Sequence, residues 1–169
     1  MSTTVYLSLG SNLGDREQNL IKACDMLSYI EGLEIIAHSP LYISDAVEMG
    51  DNAPDFMNMA IKCEFAYRAQ ELLNNIEEIE KKLGRTDKGN YKPRTIDIDI
   101  LIFGNESINT EALTIPHKKL AERAFALVPL KDIDPELTHP VTGEILSSYI
   151  DKDEARELVM YKEFARHNA

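Results

Sequence analysis

The segment Pro93–Phe103, PRTIDIDILIF, restricts the fold more than any other stretch of the chain. Its β-branched residues alternate from Ile96 to Ile102, which is the period of an extended strand. Residues two apart on a strand share a face, so Ile96, Ile98, Ile100 and Ile102 are expected to form one apolar face. Asp97 and Asp99 then stand side by side on the other face, about 7 Å apart along the strand. At that spacing two carboxylates repel by about 2 kcal/mol in a surface-like dielectric. A strand with one face made for burial must therefore either solvate this pair or bind a cation with it.

The other periodic segments frame that strand. A first strand is expected over Thr4–Leu9, closed by Gly10 and the turn GSNLGD. A helix follows over Asp15–Ile30, with Asp15 and Gln18 spaced as a capping box and Leu20, Cys24, Leu27 and Ile30 at helical intervals. Strands are predicted over Leu33–Tyr42 and Phe56–Phe65, separated by the aperiodic loop Ile43–Asp55 with its Gly, Pro and Asp residues. The second helix, Ala69–Leu83, presents Leu72, Ile76, Ile79 and Leu83, with Gly84 as its C-terminal cap. A second loop, Arg85–Lys92, leads into the aspartate-bearing strand. The order β-α-β-β-α-β is that of a ferredoxin-like split βαβ unit, an α+β fold. Additional C-terminal elements, including a helix near Ser147–Phe164, complete a single domain over residues 1–169. With 44% hydrophobic residues, the chain has enough apolar surface for one core.

Charge and composition exclude several function classes. A formal net charge of -11 argues against a nucleic-acid-binding surface, and any polyanionic ligand needs a local cluster of arginine and lysine. No apolar run reaches the length of a membrane span, and MSTTVYLSLGSNLGD lacks the basic and apolar regions of a signal peptide. Cys24 and Cys63 both lie in apolar segments, which fits buried, reduced thiols in a cytoplasmic protein.

Two carboxylates on one face suit a hard divalent cation. Mg²⁺ takes one or two carboxylates and completes its shell with water and phosphate oxygens. The D-x-D pattern alone is weak, but its surroundings strengthen it. Arg85 and Arg94 bracket the preceding loop, and His117 and Arg123 follow in LTIPHKKLAERAF. Guanidinium forks match phosphate oxygens, so the pattern points to a polyphosphate held by metal and arginine. Gly10 and Gly14 form neither a Walker A loop nor a G-x-G-x-x-G. They read as turn residues, with close approach of a ligand to the backbone as a second role. Phe56 opens a strand and Asn58 lies two residues on, so one ring and one amide share a face, while Phe125 offers a second ring beside Arg123. A flat heterocycle between the rings and ordinary core packing both remain open.

The segments VYLSLGSNLGD, DFMNMAIKCEF, IEKKLGR, KPRTIDIDILIFGN and LTIPHKKLAERAFALVPL occur in this order. Together they resemble the 6-hydroxymethyl-7,8-dihydropterin pyrophosphokinases of folate biosynthesis, over residues 4–140. The resemblance implies a ferredoxin-like α+β fold and transfer of pyrophosphate from ATP to the pterin hydroxymethyl group, with release of AMP. It places two Mg²⁺ ions at Asp97 and Asp99, bridging the ATP phosphates. Arg85 and Arg94 then contact the triphosphate and its developing charge, His117 and Arg123 hold phosphates, and Ile100 and Thr114 lie near the nucleotide. The pterin sits between Phe56 and Phe125, with Asn58 bonding its ring and the backbone of Ser44 and Val47 closing its edge. ATP and the pterin are the expected partners of a monomer, with neither nucleic acid nor membrane. The two long loops are expected to act as lids over the bound substrates.

Several positions depart from the family pattern. Tyr91 stands where an indole is common, Asp87 where a basic residue is common, Lys118 where an aromatic or proline is common, and Asp45 where a proline is usual. Asp87 is unfavourable beside a triphosphate, and Lys88 is placed to compensate. Two other classes of function compete: a non-catalytic ferredoxin-like sensor of nucleotide or pterin, and a metal-dependent nucleotidyltransferase that releases pyrophosphate rather than AMP.

Overall fold

Alternating side chains of the first strand point into two different apolar layers. In the computed structural model, which describes residues 2–44, 55–84 and 95–165, this strand is β1, Thr3–Ser11. Val5, Leu7 and Leu9 pack with α1 (Arg16–Ser28) and α2 (Ala69–Lys82) on one face of the sheet. Tyr6 points the other way, into a smaller cluster with α3 (Ala124–Ile133). One sheet thus separates a large layer from a small one.

The remaining strands are β2 (Leu33–His38), β3 (Leu41–Ser44), β4 (Phe56–Phe65), β5 (Asp97–Phe103), the hairpin β6 (Ile108–Asn109) and β7 (Thr114–Ile115), and β8 (Val159–Lys162). The main sheet runs β5-β1-β4-β3-β8, with β2 also on β4. Every pairing in it is antiparallel. The architecture is a mixed α/β one in which helices cover an antiparallel sheet.

Local chemistry sets the element boundaries. Asp15 caps α1, its side chain accepting the Gln18 N–H at 3.1 Å. Gly84, just past α2, has φ of +100°, a conformation that disfavours other residues. The expected strand Leu33–Tyr42 is divided into β2 and β3, because Pro40 has no N–H to give the ladder. At the break the Ser39 hydroxyl replaces a rung by accepting the Ala60 N–H at 2.9 Å. Ile43 and Ser44, expected in the loop, extend β3.

Two further expectations are corrected. Ile102 does not share a face with Ile96, Ile98 and Ile100. The β1–β5 register shifts between Tyr6 and Leu7, so Leu101 is bulged out and Ile102 swings beside Tyr6 under α3. Phe103 returns to the larger core. The helix expected near Ser147–Phe164 is instead a 3₁₀ turn at Leu146–Tyr149, a short α4 (Lys152–Arg156) and β8. Asp151 starts α4 by accepting the N–H groups of Asp153 and Glu154. The β-prone run Val159–Tyr161 then favours an extended chain along β3.

Cys24 and Cys63 are buried free thiols, and burial pushes the Cys63 thiol up to about 12. Among the described residues, no helix is long and apolar enough to cross a membrane.

The end of α3 is fastened to the sheet by polar contacts. The Tyr42 hydroxyl donates to Asp132, and the Tyr6 hydroxyl donates to Asp134. Lys62 Nζ lies 2.9 Å from the same Asp134 carboxylate. The Tyr6 hydrogen bond holds Asp134 below the usual carboxylate range against the opposing effect of partial burial, and Lys62 adds to the depression. Glu64 is also held low, first by the Thr4 hydroxyl and then by Ser2. A carboxylate with a depressed folded pKa stabilises the fold above its unfolded value, and that contribution is lost as pH falls through the folded value. Thermal unfolding should therefore be insensitive to pH near neutrality and shift downward below about pH 4. Tyr6→Phe should lower stability at pH 7 by about 1 kcal/mol and flatten this acid-induced fall. A parallel loss at every pH would exclude the Tyr6–Asp134 hydrogen bond as its source.

Candidate active site

Directly opposed residues of an antiparallel pair share a face, so the β-ladder places the site residues without reference to any ligand. Asp97 on β5 opposes Gly10 on β1, Gly10 opposes Asn58 on β4, and Asn58 opposes Tyr42 on β3. In the rows on either side, Asp99 opposes Ser8, and Phe56 opposes Ser44. The two carboxylates thus share a sheet face with Asn58, about 10 Å away across two strand spacings. This is the face turned away from α1 and α2. Asp97 and Asp99 are half-buried, while Ile98 between them is fully buried in the larger core.

Gly10 makes the middle of the row possible. A Cβ there would lie 3.0 Å from Asn58 Oδ1 and 3.3 Å from Phe56 Cδ1. Both side chains therefore lean over the bare backbone of β1. Asn58 is buried, and its Nδ2 donates to Ser44 Oγ at 2.6 Å, which turns Oδ1 toward Gly10. Arg16, at the start of α1, donates to the Asp55 carbonyl at 2.9 Å and fixes the chain just before Phe56.

Contacts from α2 and from His117 hold the outer edge of β5. The Ile98 N–H donates to Glu80 Oε2 of α2 at 3.0 Å. The His117 N–H donates to the Leu101 carbonyl at 2.9 Å, which docks His117 along β5 two residues beyond Asp99. His117 Nδ1 accepts the Lys119 N–H at 3.1 Å, so the ring proton of the neutral imidazole belongs on Nε2. Arg123 immediately precedes α3, with its guanidinium carbon 5.3 Å from the centre of the Phe125 ring. Phe125 is half-buried against the smaller core.

The expected site residues divide accordingly. Asp97, Asp99, Asn58, Ser44 and Phe56 share one sheet face, and His117 is docked on the adjoining strand edge. The Ile100 side chain is in the larger core, which leaves only its backbone for a ligand. Thr114 sits half-buried in the β6–β7 hairpin, opposite Asn109. Lys118 is exposed. Arg85, Arg94, Val47, Tyr91, Asp87, Lys88 and Asp45 lie outside the described residues, as do the whole expected lid loop Arg85–Lys92 and, of the loop Ile43–Asp55, all but Ile43, Ser44 and Asp55. Three features were not anticipated: the close packing over Gly10, the Ser44 hydroxyl on Asn58, and Glu80. Of these, Glu80 carried a sequence signal, as an acidic residue beside the apolar positions Ile76 and Ile79 of α2.

Among the described residues no three or more His, Cys, Asp or Glu side chains gather as a metal cage. A pair of carboxylates fits Mg²⁺, which shares its coordination with phosphate and water, better than it fits zinc or calcium.

Residues 6–135 match the family described as 7,8-dihydro-6-hydroxymethylpterin-pyrophosphokinase. The chain belongs to that family. It is 40% identical to the 2-amino-4-hydroxy-6-hydroxymethyldihydropteridine pyrophosphokinase of Aquifex aeolicus, over 86% of this chain and 89% of that one. The Bacillus subtilis protein of the same name is 38% identical, covering 85% of each chain. The folic acid synthesis protein fol1 of Pneumocystis carinii is 42% identical over 88% of this chain, but this chain spans only 20% of its length. A Plasmodium falciparum HPPK-DHPS crystal structure superposes with a TM-score of 0.68 at 17% identity, covering 92% of this chain and 44% of that one. This likeness concerns the fold. The pyrophosphokinase resemblance read from the sequence motifs is borne out at the level of the family.

The Ser44 contact has a consequence for stability. Ser44→Ala leaves the buried Asn58 Nδ2 without that acceptor, and should destabilise the fold by about 1–3 kcal/mol in urea unfolding. Loss below 0.5 kcal/mol would mean that another group satisfies the amide.

Proposed function

We propose that this chain transfers pyrophosphate from ATP to the hydroxymethyl group of 6-hydroxymethyl-7,8-dihydropterin and releases AMP. The observation that carries this reading is the row Asp97–Gly10–Asn58, which puts a carboxylate pair and a fixed amide on one sheet face two strands apart. Such spacing suits a substrate with phosphates at one end of the site and a flat heterocycle at the other. With β2 and β3 taken as halves of one strand, the strand order supports the ferredoxin-like split βαβ arrangement. Both apolar clusters lie on the same sheet, which supports a single domain.

The reaction asks for alignment and charge stabilisation more than for a strong base. Asp97 and Asp99 would hold magnesium, two ions in the full complex, which when bound neutralises the ATP phosphates. Asn58 would orient the pterin edge, its carbonyl fixed over Gly10 and its amino group fixed by Ser44. The Phe56 ring would cover one face of the heterocycle and Phe125 the other. His117, with its proton on Nε2, would donate to a phosphate oxygen, and Arg123 would offer its fork. Arg85 and Arg94, on either side of the preceding loop in sequence, would supply the remaining positive charge that a chain of net charge -11 needs around a triphosphate.

The deciding experiment incubates the protein with ATP, Mg²⁺ and the hydroxymethyl pterin and separates the nucleotides. AMP formation with the pterin diphosphate supports the proposal. Pyrophosphate release would indicate nucleotidyl transfer, and binding without turnover would indicate a sensor. Asp97→Asn or Asp99→Asn should lower kcat at least about 100-fold, while the melting temperature holds or rises slightly as repulsion between the pair is relieved. Near-normal turnover in both variants would remove the metal assignment. Phe125→Ala should weaken pterin binding by about tenfold, the scale of one aromatic stacking contact, and change MgATP binding much less. Equal weakening of both ligands in calorimetry would return Phe125 to a core role.

A further inference from the structure

Glu80 is an acidic residue in a place that opposes its charge. It is 3% exposed and sits in the last turn of α2, where the helix dipole favours cations. Lys81 and Lys82 follow that preference, and Glu80 does not. Burial of a carboxylate is costly unless hydrogen bonds compensate. Its Oε2 accepts the Ile98 N–H at 3.0 Å.

Ile98 is the residue between Asp97 and Asp99. In an antiparallel ladder, consecutive N–H groups point to opposite sides of the strand. An Ile98 N–H aimed at Glu80 therefore leaves those of Asp97 and Asp99 on the β1 side, in register with Gly10 and Ser8. The bond to Glu80 fixes the peptide plane that joins the two aspartates. A strand at a sheet edge is otherwise free to twist or fray, and a small rotation at Ile98 would spread the carboxylates. Just beyond Ile100, Leu101 is already bulged out of the β1 register, so the pairing that supports the pair is short.

We infer that Glu80 is a positioning residue, which sets the separation and direction of the Asp97 and Asp99 carboxylates by clamping the peptide between them. The inference rests on the metal-dependent reading above, but its first readout needs neither metal nor substrate. An amide oxygen can accept the same bond, so glutamine should substitute and alanine should not.

The test compares Glu80→Gln and Glu80→Ala with the wild type. Glu80→Met, which fills the space without an accepting oxygen, takes the place of alanine if that variant does not fold. In the ligand-free protein, NMR should show Ile98 amide exchange about tenfold faster in Glu80→Ala and nearly unchanged in Glu80→Gln, with Ala60 as internal reference. In calorimetry with a non-hydrolysable ATP analogue, the alanine variant should need about 10–100 times more Mg²⁺ for half-saturation, the scale of losing a support to a metal ligand. Its affinity for the pterin should stay within about twofold. Unchanged Ile98 exchange in the variant without an acceptor would overturn the inference. So would a glutamine variant as impaired as alanine, or equal weakening of Mg²⁺ and pterin binding, which would mark a general loosening of the fold. Failure of the wild type to release AMP would overturn the enzymatic reading instead, and Ile98 exchange would still decide the clamp.

Discussion

The pairing of β1 on both of its edges is the constraint from which the rest of the structure follows. All nine of its residues have partners on β4, and six of them also pair with β5. Because opposed residues share a face, this double ladder fixes which side chains meet before any helix packs. Val5, Leu7 and Leu9 define the large core. Ser8 and Gly10 define the polar row between the carboxylates and Asn58. A slip of one residue on the β5 edge would send the aspartates into the core beneath α1 and α2, and a slip on the β4 edge would do the same to Asn58. The apolar pattern on β1 thus specifies the site as firmly as it specifies the core.

The two faces of the sheet carry different burdens. The face beneath α1 and α2 is almost wholly apolar and holds most of the buried residues. On the opposite face, among the described residues, α3 and the following turns pack in a smaller cluster around Tyr6, Ala60, Leu101 and Ile102. There, polar links from Asp132 and Asp134 hold the helix end to Tyr42, Tyr6 and Lys62. Residues nearer the end of β1 have no part in that smaller core. Asp97 and Asp99, on the same face but outside that cluster, are half-buried, which suits carboxylates that must exchange water for a ligand.

Much of this was legible in the sequence, for reasons that differ by element. Phe56–Phe65 was bounded correctly because turn-forming residues flank it on one side and a helix start on the other. Asp15 announced α1 through its spacing to Gln18, and the aspartates could be placed on one face from strand period alone. The position of Ile102 was not legible, since a bulge breaks the period without any glycine or proline to mark it. The C-terminal segment reads as helical in sequence because its acidic and apolar residues satisfy a helical spacing as well as an extended one. Only pairing with β3 decides between them. Ser44 fell in an expected loop, and its hydroxyl matters through a residue 14 positions away. Contacts of that kind are tertiary and leave no local pattern.

The same distinction explains why a third acidic residue, Glu80, supports a site whose difficulty is excess negative charge. Repulsion between Asp97 and Asp99 favours any backbone motion that separates them. The backbone resists such motion through the β1 ladder on one side and the Ile98–Glu80 bond on the other. A lysine or arginine at position 80 could neutralise the pair, but it would compete with the cation and could not accept the Ile98 N–H. A carboxylate directed at the peptide holds the aspartates in place without neutralising them. The charge they need for binding is thereby kept, and the repulsion it creates is resisted by hydrogen bonds to the main chain.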